Sequence, residues 1–478
     1  MTSVLKQRLF RKTLTQCVLG LSALLLCSAQ LAACKKKPLP LPPPEPDPRE
    51  EAADPLPEAS ASAPRPAPSP GPVAARCREL PHTVPFRIGE VVTNRTAGDE
   101  AEDGGPDDAD EVPDPFSVEL GPARADAAGF AVSALRSVKG QSHALIALLD
   151  GDAGSGKLVD LGVVHGDSDA PMFAVHGKDL LLAVPDMDAG GGMLKVGVLH
   201  DARGAARVSW GSEVTGVRRD STFALEVAGE RALLVYAAES AGKIRVFGGL
   251  VDPNDLKQKF APEPLSAAGA DVDAPRLALR KGGYWLAVAR ALDAPKTKPK
   301  PRLSDASVEL GEEDSVLDIG TRRIEVMKLD AQGKAASTPL VVTAPGARPM
   351  SFELATGPDG SAYVGFRGDD STPGADGGAL QLVHVKLDGS FEKVELTGDS
   401  NGTGTPSLLV DSAAPDKLWL TAAGENGATW FGRVADRGTL AADALVRGGD
   451  LIAVREGKLL LARSKGTAAE LSAVTCAE

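Results

Sequence analysis

Aromatic side chains are scarce in this chain: 12 Phe, 4 Trp and 3 Tyr among 478 residues. A module that stacks sugars on rows of exposed rings needs more, so composition does not indicate sugar stacking. Histidine is rarer still. The six residues His82, His143, His165, His176, His200 and His384 are scattered, with no HExxH and no cysteine beside them, which leaves no zinc-spaced site. Cations are outnumbered, 52 Lys and Arg against 65 Asp and Glu, for a formal charge of -13. Affinity for nucleic acid comes largely from cations neutralising phosphates, so this balance argues against nucleic acid as a partner. No apolar run approaches the roughly 20 residues of a membrane-spanning helix. Glycine and proline, by contrast, are abundant at 52 and 36. With 24% charged residues, this fits a loop-rich globular region with added low-complexity segments, not a disordered chain or a coiled coil. The length exceeds what one small core fills, which leaves several domains or one large repetitive fold.

The amino terminus is tripartite. Lys6, Arg8, Arg11 and Lys12 are followed by the apolar run Val18 to Leu26 and then by the small residues Ala32 and Ala33. This is a secretory signal, too short in its apolar part to span a bilayer. Leu31-Ala32-Ala33-Cys34 resembles the lipobox of bacterial lipoproteins, which implies cleavage before Cys34 and a lipid on that cysteine. Loss of residues 1–33 removes four positive charges and leaves -17. Such a charge repels anionic headgroups, so the acyl chains hold the membrane. In the Gram-negative lipoprotein family the residue after the cysteine influences sorting, and Lys35 implies the outer membrane.

Residues 34–76 comprise this cysteine and a Pro-rich linker, PLPLPPPEPDPREEAADPLPEASASAPRPAPSPGP from Pro38 to Pro72. The linker has no hydrophobic periodicity and favours extended polyproline II, as a stalk does. Cys17 and Cys27 leave with the signal. Cys77 and Cys476 remain and bracket the folded region 77–478. In an oxidising envelope they are read first as a disulfide, which requires the two ends of the domain to meet.

Within that region a pair of short apolar strands joined by a polar turn recurs, with copies beginning at Gly129, Pro171, Ser221, Ala274, Met350, Pro406 and Gly448. Third strands follow most of them, such as LKVGVLHD from Leu194 and KIRVFGGLVD from Lys243. The starts lie 42 to 76 residues apart, and the longest interval holds the charged insertion at about 293–320. Another acidic insertion spans about 98–115. Units of this size and composition resemble the β-propeller family. The resemblance implies an all-β propeller of about seven blades, with Val84 to Val92 completing the blade that begins at Gly448. Tandem β-sandwiches are the alternative, and they would give the terminal cysteines no reason to meet.

Motifs for chemistry are thin. Gly151 to Lys157 has phosphate-loop spacing, but Leu158 stands where Ser or Thr would hold magnesium, and a strand follows. Gly398-Asp-Ser-Asn-Gly402 spells a nucleophile elbow, yet loop and strand follow where a helix is needed. Arg367-Gly368-Asp369 is an adhesion tripeptide by spelling only. Trp285 and Trp419 hold matching places in the second strands of their repeats, which points to core packing.

The most distinctive polar feature is a set of Asp-x-Asp pairs. Asp150/Asp152 and Asp186/Asp188 fall after second strands of the repeats, and Asp167/Asp169 and Asp271/Asp273 precede first strands. The propeller resemblance puts those two loop classes on one face, an acidic binding face. Paired carboxylates on turns can take Ca²⁺, although neither turn is an EF-hand, since Leu161 and Gly197 stand at the twelfth positions. Asp and Gly also favour turns for their own reasons. No cofactor is established by sequence, with Ca²⁺ the one ion the pairs suggest. The expectation is a monomeric envelope lipoprotein acting as a binding or scaffolding module, held to the membrane by its lipid and engaging an envelope protein partner. The alternatives are a hydrolase or lyase on a propeller scaffold and a purely structural envelope component.

Overall fold

A computed structural model describes most residues from 76 to 477; residues 1–75, 90–115, 293–321, 369–379, 397–405, 435–439 and several short turns lie outside the description. The signal, Cys34, the linker and both acidic insertions therefore lie outside it, as does the Gly398 motif. The described residues belong to one compact unit, Pro70–Glu478, and comprise 29 strands and no helix.

The unit opens with β1 (Arg76–Glu79) and β2 (Phe86–Ile88). An antiparallel meander follows: β3 (Phe116–Asp126), β4 (Gly129–Val138), β5 (Gln141–Asp150) and β6 (Gly156–Val164). The next eight strands are two such meanders. One runs through β7 (Met172–His176), β8 (Asp179–Asp188), β9 (Gly191–His200) and β10 (Arg207–Val217), the other through β11 (Phe223–Ala228), β12 (Arg231–Ser240), β13 (Lys243–Val251) and β14 (Glu263–Pro264). A single pairing, Val217 with Ala238, joins them. Then come β15 (Val272–Arg280), β16 (Gly283–Ala291), β17 (Arg322–Asp330) and β18 (Leu340–Val341). A further four-stranded sheet holds β19 (Phe352–Thr356), β20 (Ala362–Arg367), β21 (Leu380–Val385) and β22 (Phe391–Val394). Another holds β23 (Ser407–Val410), β24 (Leu418–Ala423), β25 (Ala428–Val434) and β26 (Leu440–Arg447). The last sheet is β27 (Asp450–Arg455), β28 (Lys458–Lys465) and β29 (Ala468–Ala477), with β1 and β2 both antiparallel on β29. Part of the expected closing segment, Phe86–Ile88, is thus paired there, and β1 joins it.

The second strands show why these sequences form stacked sheets. Leu180 to Val184, Ala232 to Ala238 and Tyr284 to Ala289 are buried at every position, so both faces of each strand meet apolar neighbours and the sequence reads as a continuous apolar run without alternation. Apolar layers lie between each meander and the next. Leu182 shares a layer with Ile146, Tyr236 with Val196 and Val198 of β9, and Phe431 with Leu461. The layer holding Phe130 and Leu471 joins the last sheet to the first meander. A tandem of sandwiches would leave each sheet one outer face, which these sheets lack.

The first strands touch in cyclic order: β3 lies beside β7, β7 beside β11, and so on through β15, β19 and β23 to β27, which lies beside β3. One expectation shifts here. The segment from Gly129 to Asp150 is the second and third strands of its meander, because β3 precedes it. Gly121 and Pro122 interrupt β3 with a bulge, which breaks the period of two along that strand.

Candidate functional site

The first strands enclose two adjoining cavities, of about 360 and 640 Å³. Early residues of these strands line the smaller one, including Glu119, Met172, Arg276 and Glu353; late residues line the larger, including Val175, Val227, Leu279 and Val410. Arg124, Glu226, Leu277, Leu354 and Ile452 border both.

The bulge in β3 builds the polar wall. Between the pairs Leu120–Ala134 and Ala123–Val132 the strand gains one residue, so Glu119 and Arg124, five apart in sequence, come to line the same cavity. Side chains five apart on a regular strand point to opposite faces. Gly121 lies where a Cβ would collide with Ala170, and that close approach brings the loop after β6 against the bulge. The loop itself is pinned. The Met187 N–H donates to the His165 carbonyl at 3.0 Å, and the Ser168 hydroxyl donates to the same carbonyl at 2.7 Å. Asp169 therefore reaches the cavity that Glu119 lines. A second bulge, between Asp273 and Arg276 in β15, sets Arg276 into the wall, 3.6 Å from Glu353.

Both carboxyls at this mouth open to water inside the concavity, yet the walls crowd them. Partial burial pushes Glu119 above the ordinary 4.5, and the charge of Asp169 pushes it further. Burial likewise raises Asp169 above 3.8. Deeper in, Glu226 is also raised by burial, against the opposing pull of its ion-pair partner Arg124, with Glu353 adding to the rise. Behind it lies Tyr284, a fully buried phenol pushed up to about 12 by burial and by Glu226. Four carboxyls thus share the polar cavity with two guanidinium groups. Two carboxyls raised side by side can hold and pass a proton between them.

Of the eight aspartates expected on one acidic face, the cavity takes one, Asp169. Asp150 and Asp152 sit in the turn after the third strand β5, so they lie at the opposite end of their sheet from a turn that follows a second strand. This corrects their expected placement. Asp150 accepts from the Gly154 N–H at 3.1 Å and the Ser155 hydroxyl at 2.6 Å, stitching its own turn, and Asp152 pairs with Lys458. Asp186 is buried and bound to Lys195 and to the His165 ring and N–H, both at 2.9 Å. Asp271 accepts the Ile244 N–H at 3.2 Å, and Asp273 lies 3.5 Å from Arg322. Asp167 lies outside the described residues, as does the side chain of Asp188. Among the described residues no group of three or more His, Cys, Asp or Glu is arranged to hold a metal ion.

The other motifs resolve into structure. Trp285 is buried in β16 and donates from Nε1 to the Gly360 carbonyl at 2.9 Å; Trp419 is buried in β24 beside Phe431. Arg367 is buried, so it presents no adhesion tripeptide. Sequence reasoning passed over Glu119, Arg124, Glu226, Arg276 and Glu353. Their signal was a charge set inside an otherwise apolar first strand, as in FALEVA and FELAT, which in a strand of this kind has to face a wet cavity.

No protein-family profile and no curated protein matches the chain. Among solved structures it is similar to an ulvan lyase of polysaccharide lyase family PL25, with a TM-score of 0.50 at 9% identity over 74% of this chain and 90% of that one. The polysaccharide lyase Uly1 aligns with a TM-score of 0.47 at 11% identity, over 74% and 89%. The β-propeller domain of the trilobed protease from Pyrococcus furiosus aligns with a TM-score of 0.41 at 10% identity, over 75% and 93%. At such identities the likeness is one of fold: the chain is all-β and propeller-like.

Proposed function

We propose that the protein is a lipid-anchored envelope protein whose seven-bladed propeller carries, at the polar end of its axial cavity, a carboxylate acid–base site acting on a neutral or cationic glycan. The Glu119–Asp169 pair carries this reading. Hydrolysis of a glycosidic linkage needs one carboxyl to give a proton to the leaving oxygen and another to take one from the attacking water, and burial with mutual repulsion favours the protonated form of one of two such groups. The excess of carboxyls over guanidinium groups disfavours a polyanionic substrate. Binding without turnover is the second reading. It is supported by the pairing of Arg124 with Glu226 and of Arg276 with Glu353, which fixes both arginines in the wall.

The cyclic contacts of the first strands support a count of seven blades. The lipobox ending at Cys34 and the following Lys35 support an outer-membrane anchor, with residues 34–76 as the stalk and an envelope protein as partner. The test incubates the protein with neutral and amine-bearing polysaccharides and follows new reducing ends. Glu119→Gln and Asp169→Asn are each expected to lower turnover about 100-fold with an unchanged circular dichroism spectrum. Binding by the wild type with no new ends would reject the acid–base reading and leave the binding module.

A further inference from the structure

The two cavities differ in chemistry, and that difference constrains the ligand. The smaller carries Glu119, Asp169 and Glu353 with Arg276. The larger is lined mainly by aliphatic side chains, among them Val175, Val227, Leu279, Val410 and Val454. Leu279 and Val410 keep 43% and 36% of their surface accessible, although both stand in first strands whose neighbours Leu277, Ala278, Leu408 and Leu409 are buried. An aliphatic residue left open at the end of a core strand and turned to a concave cavity is surface that a ligand can cover. Arg124 and Glu226 stand at the border, paired with each other, and both cavities share them.

We propose that the axial cavity binds an amphiphile, with its apolar chain in the 640 Å³ cavity beside Leu279 and Val410 and its neutral or cationic head in the 360 Å³ cavity beside Glu119 and Asp169. Charge fixes the orientation: three carboxyls against one guanidinium at one end, the Arg124–Glu226 pair at the border, and aliphatic walls at the other. The volumes fall within the range of about 300–1,000 Å³ usual for small-molecule sites. This deepens the glycan reading of the same site, since it gives that glycan an apolar substituent, but it is measured by binding alone.

The experiment uses the full chain carrying Cys34→Ser, so that no attached lipid competes. Calorimetric titrations below the micelle concentration compare alkyl trimethylammonium salts, alkyl glucosides and alkyl sulfates of increasing length. Affinity for the ammonium and glucoside series is expected to rise about fourfold per methylene until the cavity is filled, and then level off. Alkyl sulfates of equal length are expected to bind at least about tenfold more weakly. Leu279→Asp and Val410→Asp should abolish the dependence on chain length. Glu119→Gln combined with Asp169→Asn should keep that dependence and erase the preference for ammonium over sulfate. Affinity independent of chain length, sulfates binding as well as ammonium salts, or a length dependence untouched by the aspartate substitutions would each overturn the proposal. Amphiphile binding without any glycan turnover would sink the acid–base reading alone, and turnover without amphiphile binding would sink this one alone.

Discussion

Cys77 stands directly across from Cys476 in the antiparallel pairing of β1 with β29. Residues opposed in this way have Cα atoms about 4.5–5.5 Å apart, within the span a disulfide bridges. The last sheet takes β27, β28 and β29 from one end of the chain and β1 and β2 from the other, so this one register pair ties together the two ends of the unit.

A Cys77–Cys476 cross-link is expected in protein isolated from an oxidising compartment, read as a single joined peptide by non-reduced mass spectrometry. Cys77→Ser should lower stability by about 2–5 kcal/mol, because an open chain gains more entropy on unfolding. Equal denaturation midpoints for the wild type with and without reductant would show that no bond forms.

Asp411 is fully buried and accepts the Glu456 and Gly457 N–H groups, each at 2.8 Å, so it holds the β27–β28 turn from the preceding sheet. Both turn residues have positive φ, 52° and 73°, as a tight two-residue hairpin requires. Asp411→Ala removes the carboxylate from two part-buried N–H donors and should cost about 2 kcal/mol in urea unfolding. A loss below about 0.5 kcal/mol would mean that the turn keeps its shape unaided.

The Asp186 carboxyl is pushed up by burial, but Lys195, the His165 N–H and the His165 ring outweigh that and hold it below the ordinary 3.8. A depressed carboxyl contributes stability that is present above its unfolded value and lost as pH falls through the folded one. Asp186→Ala should therefore destabilise by about 3 kcal/mol at neutral pH, with the deficit shrinking below about pH 3.8. Thermal melts across that range check the slope.

Glu119 and Asp169 carry the opposite sign. A carboxyl raised on folding leaves stability intact below its unfolded value, 4.5 or 3.8 here, and loses it as pH rises through the raised folded value. Glu119→Gln and Asp169→Asn should each melt above the wild type at neutral pH, by less than about 1 kcal/mol given the water in the cavity, and match it in acid. Variants that gain stability while losing turnover would mark the pair as a site held at a stability cost.

The strand pairs at Pro171, Ser221 and Ala274 were legible because burial on both faces forces an apolar run such as LLLAV or YWLAVA whatever the neighbours are. The first meander was out of phase by a strand, since the β3 bulge at Gly121 and Pro122 obeys no period. That error carried Asp150 and Asp152 to the wrong end of their sheet, because each added antiparallel strand reverses direction.

The sequence by itself determined the all-β class, the recurring strand pairs, the core role of Trp285 and Trp419, and the lipobox and stalk as expectations about address. Only the tertiary structure decided the site. Glu119 becomes the neighbour of Asp169 through a bulge, a glycine that admits Ala170, and a loop pinned to Met187, while Arg276 meets Glu353 across two sheets. Local pattern records whether a side chain is wet or dry; which wet side chains share one cavity depends on the cyclic packing of strands far apart in the chain.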